Sequence, residues 1–567
     1  MSDFWRPSEA NPNAGRSSLS LWKMLGASPG ALLLSVIAGL AAGGGTAGLL
    51  TFISGALERY EPSASGPATA FFGLCIAALA AGALSEVLLL RLTQRNLLEL
   101  RFWLSRRILA APLQQLQSCG PHRLMAALTE DMESIAHAHE MLPLLCIEGA
   151  VVLGGLIYIG WLSWFLLLVV LAFLLAGVIG FHIPQNAALR WLKRARDADD
   201  ALFGHFRAMT DGCKELKMDA RRRHAFLHEE LGATADRIRS LNSTGSVYYI
   251  LAAQWGKLAF FLAIGFVLYV APHIDLASRQ AATGCTLAIL FIMTPISTVV
   301  NAVPALGRGL IALRKIEALG GAMPEEKALA DLDPAAIPPV PETPGLLELD
   351  RVTHRYGAEG DERGFVLGPL DLRIEPGELV FLTGGNGGGK TTLAMLLLGL
   401  YFPETGEIRL NGAAITDVNR DGYRQHFAAV FADAFVFDRL LGYSGRRSAE
   451  QADQLLARLQ LDAKVKITEG RFSSVDLSRG QRKRLALLAA YLEDRPFYLF
   501  DEWAAEQDPL FREIFYKEML PKLKARGKTV IVITHDDRYF PLADRLLHLT
   551  MGQLAEPSAL VAASAAG

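Results

Sequence analysis

The sequence predicts a polytopic α-helical membrane domain with six transmembrane helices, fused in the same chain to an α/β domain. Three observations predict this fold class. The first half of the 567-residue chain contains six long apolar runs, a segment rich in Pro and Ala follows them, and short β-rich runs then alternate with helical patterns. The hydrophobic content of 51% is high for a wholly soluble protein, which also favours membrane spans.

The six apolar runs lie at 31–53, 68–90, 142–160, 162–182, 248–271 and 281–303. Each is long enough to cross a bilayer, which takes roughly 20 residues. The third and fourth runs are almost continuous, so the chain must fold back near "GWLSW" (160–164). The first run is too long for a cleavable signal, and further spans follow it.

Basic residues predict the orientation of these spans. They concentrate between spans two and three and between spans four and five, where "RRR" (221–223) lies, whereas the alternate loops carry only Arg59 and Arg279. The basic loops, both termini and the α/β domain should therefore be cytoplasmic. Because the basic loops are long and have helical patterns of mixed charge, we expect the helices to continue beyond the bilayer and to carry motion between the domains.

The chain divides by composition into five parts. We predict an N-terminal cytoplasmic segment at 1–30, the membrane domain at 31–319, a linker at 320–345, the α/β domain at 346–557 and a tail at 558–567. The linker sequence "GGAMPEEKALADLDPAAIPPVPETPG" is rich in Pro and Ala. In the α/β domain, "ELVFLTG", "FYLF" and "KTVIVI" read as buried strands of a mostly parallel core sheet.

Charge and cysteine content exclude several classes of function. A net charge of −2 gives no electrostatic case for nucleic acid as a partner. The five cysteines are scattered without a CxxC pair, which argues against a disulfide framework and a zinc site. These are Cys75, Cys119, Cys146, Cys213 and Cys285. His224 and His228 are spaced i, i+4 and could ligate a metal, but without a third ligand nearby an exposed helix face is favoured.

The stretch "GGNGGGKT" (384–391) fits the phosphate-binding pattern G-x-x-x-x-G-K-[ST]. It follows an apolar strand and precedes a helical run, as the pattern requires. Lys390 is expected to reach the β- and γ-phosphates and the Thr391 hydroxyl to bind Mg²⁺. The predicted ATP-binding residues of this loop are Gly384, Asn386, Gly387, Gly389, Lys390, Thr391 and Thr392. Taken alone, the motif does not separate a kinase or GTPase from a transport ATPase.

Two adjacent acids follow the strand "FYLF". Like charges at a strand end are costly unless a cation or a reacting group lies there. We predict that Asp501 holds Mg²⁺ through water and that Glu502 orients and deprotonates the attacking water. The alternative is a pair of solvated acids at a strand end.

Four further motifs resemble those of ATP-binding cassette (ABC) proteins: "LSRGQRKRL" (477–485), "THDD" (534–537), "EQDP" and "THRY". The resemblance implies that the signature residues Ser478, Gly480 and Gln481 contact ATP bound by a second subunit. It implies that His535 is the switch histidine, that Asp508 couples the two sites, and that Tyr356 stacks on adenine. Six spans before one such domain resemble an exporter half-transporter, so a homodimer is expected, with ATP and Mg²⁺ as its cofactors.

Two positions depart from the family pattern. The family usually has a glutamine after the strand that follows the phosphate loop, but "AAVFADAFVFD" (428–438) has Ala432 at the aligned position. The third signature residue is Arg479 instead of the common glycine. The usual Mg²⁺ and coupling role of the glutamine is therefore open, and Arg479 is as well explained as a surface residue as by a functional role.

"FAAVFADAFVFDRLLG", "RGQRKRLALLAAYLEDRPFYLFDEWAAEQDP" and "KELKMDARRR" (214–223) resemble the cyclic peptide exporter subfamily, which includes the pyoverdine and syringomycin secretion proteins and the microcin J25 exporter. The resemblance implies export of a modified or cyclic peptide, or of a peptidic siderophore precursor, across the bacterial inner membrane. The expected partners are a second copy of the chain, such a substrate and membrane lipids.

Other functions stay open. The nearest alternative is a lipid flippase or multidrug exporter of the same fold, and a second is an ATP-gated channel that binds nucleotide without pumping. The six spans disfavour a soluble cassette ATPase. Glu86, Glu148 and Lys257 fall inside predicted spans, where ionisable side chains often line a cavity, although pairing between helices explains them equally well.

Overall fold

The computed structural model describes residues 29–58, 65–274, 278–322, 343–356, 365–441 and 446–555. They form two compact units. Unit 1 contains Met1–Leu100 and Thr129–Glu317, and unit 2 contains Arg101–Leu128 and Ala318–Gly567. The predicted N-terminal segment, most of the predicted linker and the predicted tail lie outside the described residues, so those domain boundaries stay predictions.

Six helical stretches in the described chain are long and apolar enough to cross a membrane. Each contains all or nearly all of one of the six predicted spans, so the predicted membrane architecture is confirmed. The helices of this half are α1 (Pro29–Glu58), α2 (Ser65–Ala110), α3 (Leu113–Cys119), α4 (Pro121–Leu128), α5 (Glu130–Leu162), α6 (Trp164–Asp211), α7 (Cys213–Met218), α8 (Ala220–Ala225), α9 (Ala233–Gly265) and α10 (Arg279–Ala322). A π-helix at Phe226–Gly232 joins α8 to α9.

The predicted fold-back between the third and fourth spans occurs at one residue. Ser163 separates α5 from α6 and has an extended backbone, with φ −163° and ψ 118°. Its Oγ accepts a hydrogen bond from the backbone N–H of Leu166 at 3.4 Å and so caps α6. Ser163 is therefore the single residue at which the chain reverses direction.

The helices are much longer than a bilayer is thick. α2 has 46 residues and α6 has 48, so at 1.5 Å per residue each is about 70 Å long. The hydrocarbon core of a bilayer measures roughly 30 Å. The prediction that these helices extend beyond the membrane is confirmed.

Small residues allow the membrane helices to pack closely. Helix α1 packs against α5, and a Cβ atom at Gly43 would lie 2.4 Å from the carbonyl oxygen of Ile147. Lipid provides no hydrophobic driving force for association between helices, so close van der Waals packing of this kind holds them together instead. Behind these contacts Ile159, Leu166 and Ile292 form part of a core that is fully buried in unit 1.

Unit 2 is built on a six-stranded sheet of order β12-β11-β3-β10-β9-β6, in which only the β11–β12 pair is antiparallel. This confirms the predicted, mostly parallel core sheet. Its strands are β3 (Leu379–Thr383), β6 (Phe427–Val430), β9 (Phe497–Asp501), β10 (Thr529–Ile533), β11 (Arg545–Thr550) and β12 (Gln553–Ala555). All residues of β3, β9 and β10 are buried because apolar clusters cover both faces of the sheet.

A second, antiparallel sheet of order β2-β1-β4-β5 was not anticipated from the sequence. Its strands are β1 (Leu347–Tyr356), β2 (Phe365–Ile374), β4 (Thr405–Leu410) and β5 (Ala413–Ala414), and β7 (Ile467–Thr468) pairs with β8 (Arg471–Phe472). The helices of unit 2 after the linker are α11 (Lys390–Leu397), α12 (Arg420–Arg424), α13 (Arg446–Arg458), α14 (Arg479–Glu493), α15 (Pro509–Glu513) and α16 (Leu520–Ala525).

The connection between spans two and three packs against the α/β domain within unit 2. The Tyr401 hydroxyl donates a hydrogen bond to Gln117 Oε1 of α3 at 2.6 Å, and Leu113 packs on the apolar cluster of this domain. Tyr401 also stacks on His354, with ring centroids 5.2 Å apart. This connection therefore belongs to the membrane-domain sequence but packs with the α/β domain in the same compact unit.

Candidate functional site

The phosphate-binding loop lies between β3 and α11. Gly384 and Gly389 have φ of 144° and 97°, values that side chains rarely adopt. A Cβ atom at Gly384 would lie 2.1 Å from the carbonyl oxygen of Leu549, so only glycine fits this position. Gly389 is the N-cap of α11, and a loop of this kind followed by a helix N-terminus is suited to binding phosphates. Asn386 and Gly387 are exposed in the loop.

The first residues of α11 bring charge and a hydroxyl to the loop. Lys390 is 7% exposed, and its Nζ donates hydrogen bonds to the carbonyl oxygens of Gly384 and Gly385 at 3.0 and 2.9 Å. Its ammonium group is therefore held at the loop. Thr391 is exposed and Thr392 is half-buried beside it.

Asp501 ends β9 and is 2% exposed, and the Thr391 hydroxyl donates to its Oδ2 at 3.4 Å. Burial raises the pKa of the Asp501 carboxyl, and the neighbouring charge of Glu502 raises it further. A nearby cation would stabilise the charged carboxylate. The hydroxyl of Thr391 and the carboxylate of Asp501 are hard oxygen donors of the type that Mg²⁺ prefers, so the residues present fit the ion.

Glu502 and His535 lie where β9 and β10 end. Glu502 Oε1 is 3.3 Å from His535 Nε2, and both side chains are partly exposed. The backbone of Glu502 has φ 48°, a left-handed conformation that is uncommon outside glycine and is often found at functional sites. Its N–H donates to the carbonyl oxygen of Ile533 at 3.1 Å, which ties this strained residue to the neighbouring strand. The two predicted catalytic residues are therefore in contact.

A buried lysine that the sequence analysis missed supports Glu502 from behind. The side chain of Lys483, on α14, is 4% exposed, and its Nζ donates to the backbone carbonyl of Glu502 at 3.1 Å. The same Nζ lies 3.9 Å from Glu506 Oε2. The indole N–H of Trp503 donates back to the carbonyl oxygen of Lys483 at 2.8 Å. Polar contacts of the buried Lys483 thus join α14 to Glu502 and Trp503.

Lys483→Met should lower kcat for ATP hydrolysis about tenfold with a much smaller change in KM. It removes a charged hydrogen bond, typically worth about 1.5–3 kcal/mol, from the backbone that positions Glu502. Steady-state hydrolysis by the purified protein measures both constants. Lys483→Gln keeps a donor and should recover part of kcat, whereas the exposed Lys464→Met should match wild type. Equal losses in Lys483→Met and Lys464→Met would contradict a positioning role.

The signature residues begin α14. Ser478 is its N-cap, and Ser478 and Gln481 form a reciprocal capping box. The carbonyl oxygen of Gly480 accepts a hydrogen bond from Gln507 Nε2 at 2.9 Å. The Arg479 side chain is 87% exposed and lies 3.9 Å from Glu506, which fits a surface residue. The start of α14 is therefore held rigidly, with the exposed Ser478 and half-buried Gly480 at its tip.

The remaining predicted ATP-site residues lie at element ends. Asp508 is the N-cap of α15, where its Oδ1 accepts from the N–H of Phe511 at 3.0 Å. Tyr356 ends β1, and its side chain is 51% exposed. An exposed ring at a strand end is available to stack on a base, so Tyr356 stays a candidate for adenine binding.

Ala432 lies just past the end of β6. The parallel register pairs Val430 of β6 with Phe500 of β9, so both strands deliver their following residues to the same edge of the sheet. Ala432 is exposed there and has no side-chain donor or acceptor. The position usually taken by glutamine therefore adds no ligand from its side chain.

The other candidate residues separate into two groups. Lys257 lines a cavity in unit 1, whereas Glu86 is exposed and Glu148 is half-buried, and neither is among the cavity's lining residues. His224 and His228 have ring centroids 4.4 Å apart. Within the described residues, no group of three possible metal ligands is found, and all five cysteines are free.

Comparison with known proteins identifies the family. Residues 30–214 match the ABC transporter transmembrane region, and residues 367–505 match the ABC transporter family. ATP-binding protein SyrD of Pseudomonas syringae pv. syringae is 38% identical over 81% of this chain and 82% of that protein. The chain belongs to the ABC transporters. This transporter is a multi-pass membrane protein that binds and hydrolyses ATP.

More distant relatives share the same architecture. ATP-dependent lipid A-core flippases of Alkalilimnicola ehrlichii and Ralstonia nicotianae are each 27% identical to this transporter, over 80% and 82% of its length and 80% and 79% of theirs. A solved bacterial Atm1-family ABC exporter with ATP bound matches with a TM-score of 0.72, at 18% identity, over 96% of this chain and 97% of that chain. That likeness shows the exporter fold.

Proposed function

We propose that this transporter is a homodimeric half-transporter that exports a modified or cyclic peptide, or a peptidic siderophore precursor, across the bacterial inner membrane. The peptide assignment is carried by the sequence resemblance to cyclic peptide exporters, in segments such as "FAAVFADAFVFDRLLG". The 38% identity to SyrD over four-fifths of both chains, against 27% to the two flippases, supports it over a flippase. The basic loops favour a cytoplasmic location for the ATP sites, and the likeness to the fold of an ABC exporter favours outward transport.

The hydrolysis step follows from the site residues. Tyr356 stacks on adenine, and the loop from Gly384 to Gly389 with Lys390 holds the phosphates. Thr391 and Asp501 would hold Mg²⁺, which when bound would neutralise phosphate charge during phosphoryl transfer. Glu502 accepts the proton of the attacking water, and His535, 3.3 Å away, orients its carboxylate.

The dimer completes each ATP site. Ser478, Gly480 and Gln481 of one subunit contact the γ-phosphate held by the other, where the α14 N-terminus favours negative charge. Asp508 follows Glu502 closely in sequence and caps α15, which suits it to link the two sites. Each subunit supplies one phosphate loop and one signature, so the two sites are equivalent.

A lipid flippase is the second candidate, and the names of the 27% identical relatives favour it. The resemblance of segments of this transporter to cyclic peptide exporters, together with the higher identity to SyrD, favours the peptide.

Compact cyclic or lasso peptides should stimulate ATP hydrolysis of the full-length protein in lipid nanodiscs severalfold, because cargo binding favours the state in which the two cassettes close. The same peptides should accumulate in inside-out vesicles only while ATP is hydrolysed. Phosphate release and radiolabelled uptake measure the two effects. Hydrophobic dyes and lipid-linked sugars should give smaller effects.

Glu502→Gln vesicles serve as the control for uptake that does not depend on hydrolysis. Unchanged turnover with the whole peptide panel, together with stimulation and flipping of a lipid-linked substrate, would replace the peptide assignment with the flippase. ATP binding without any turnover would instead favour the ATP-gated channel.

A further inference from the structure

The membrane unit contains a cavity between α6, α9 and α10. Its volume is about 390 Å³, and all of its lining residues belong to unit 1. Aromatic and aliphatic side chains form most of the wall, among them Phe173, Phe181, Phe260 and Ile296. An apolar cavity with a few polar groups is the usual form of a ligand site, because the polar groups fix the orientation of the ligand.

Most polar groups in the wall already have partners. The Tyr249 hydroxyl donates to Asn301 Oδ1 at 3.2 Å, between α9 and α10. On α6, His182 Nδ1 and Gln185 Oε1 are 3.0 Å apart. These pairs lie on three helices and provide hydrogen-bonding groups in the cavity wall.

Lys257 is the exception. Among the described residues that line the cavity it is the one lysine, and no Arg, Asp or Glu accompanies it. Its side chain is exposed and makes no hydrogen bond or ion pair within the described parts of the chain. Lys257 lies nine residues inside the predicted span 248–271, which places its Cα about 14 Å along the helix from the start of that span. An ammonium group at such a depth is costly unless water or an anion faces it.

We propose that Lys257 binds a carboxylate of the transported peptide. This inference rests on the proposed function and names the chemistry of the cargo: a peptide with a carboxylate next to an apolar or aromatic side chain. The carboxylate pairs with the ammonium group, and the apolar group occupies the space beside Phe173 and Phe260. Charge complementarity thus selects anionic cargo, while the apolar wall accepts varied side chains.

The Lys257 ammonium group acts as a point charge and pairs with a carboxylate or a phosphate alike. A carboxylate is the anion that a peptide carries at its C-terminus or on an acidic side chain, so the choice of a carboxylate follows from the proposed function. Binding of a lipid phosphate at Lys257 is accordingly the competing outcome for experiment.

The test uses the full-length protein in nanodiscs and matched peptide pairs. One pair is a short cyclic peptide with a single aspartate and the same peptide with asparagine. The other is a lasso peptide as the free C-terminal acid and as the amide, which separates the two sources of carboxylate. For each pair, the acid and neutral forms are compared by the KM of the peptide, which is the peptide concentration that gives half-maximal stimulation of ATP hydrolysis.

In wild type, the acid form of at least one pair should have a KM lower by about tenfold or more, as expected for a hydrogen bond to a charged group. Lys257→Met should abolish this preference and Lys257→Arg should keep it. Lys257→Glu should reverse it toward a cyclic peptide with lysine in place of the aspartate. Lys193→Met, an exposed change on α6 outside the lining, should retain the wild-type preference.

The outcomes separate this inference from the proposed function. Stimulation by acid and neutral peptides alike, or an acid preference that survives in Lys257→Met, overturns the inference and leaves peptide export standing. Loss of dimer assembly in Lys257→Met and Lys257→Glu, with Lys257→Arg unaffected, also overturns it, because the ammonium then pairs with a second subunit. Stimulation of wild type by an anionic lipid alone, lost in Lys257→Met, overturns both.

Discussion

Glu502→Gln should lower kcat for ATP hydrolysis roughly 100-fold or more, the usual scale for loss of general-base catalysis. The amide has nearly the same shape as the carboxylate but accepts no proton from the attacking water. Its oxygen can still accept a hydrogen bond from His535, now 3.3 Å from Glu502 Oε1, so the local structure should survive. Phosphate release by the purified protein measures the effect.

ATP binding should remain intact in this variant, because the phosphate loop and Lys390 are untouched. The protein should accumulate as an ATP-bound closed dimer. Trapped nucleotide and a larger fraction of closed particles in electron microscopy measure this state. Glu513→Gln is a matched control, since Glu513 is an exposed acid that pairs with Lys517. Turnover near the wild-type rate in Glu502→Gln would remove Glu502 from the mechanism.

Subunits with Ser478→Arg should inactivate their wild-type partners. The larger cationic side chain at the exposed start of α14 should block contact with ATP held by the other subunit. Random pairing at equal mixing leaves roughly a quarter of dimers free of the variant. Because the two sites are proposed to be coupled, one blocked site should stop both, and activity should fall to about that level. Co-expression of differently tagged subunits, followed by ATPase assays at several ratios, measures the curve.

Thermal unfolding of purified Ser478→Arg is the control for the lost helix cap, which typically stabilises by about 1 kcal/mol. A melting temperature close to that of wild type, together with inactivation in mixtures, would place the effect at the shared site and not in unfolding of α14. A linear fall to one half at equal mixing would mean that the two sites of a dimer hydrolyse ATP independently, which contradicts coupling between them.

The sequence by itself determined the features that depend on neighbouring residues. The lengths of the apolar runs predicted six spans, and the near-continuity of the third and fourth runs predicted a reversal near 160–164, which the structure has at Ser163. The phosphate loop and the pair Asp501 and Glu502 could also be predicted from the sequence, because their chemistry requires fixed residue types at fixed spacing beside buried strands. For the same reason Lys390 and Thr391 were predicted before any tertiary contact was known.

Only the tertiary structure decided which distant residues meet. The antiparallel pairing of β1 with β2 and β4 depends on register between segments far apart in the chain. Lys483 read as one of several basic residues in "RGQRKRL", and only burial of one face of α14 turns it toward the carbonyl of Glu502. Lys257 was one of three equal candidates until the packing of α6, α9 and α10 placed it in a cavity wall. Local spacing fixes helices, strands and turns, but side-chain neighbours follow from how those elements rotate and pack against each other.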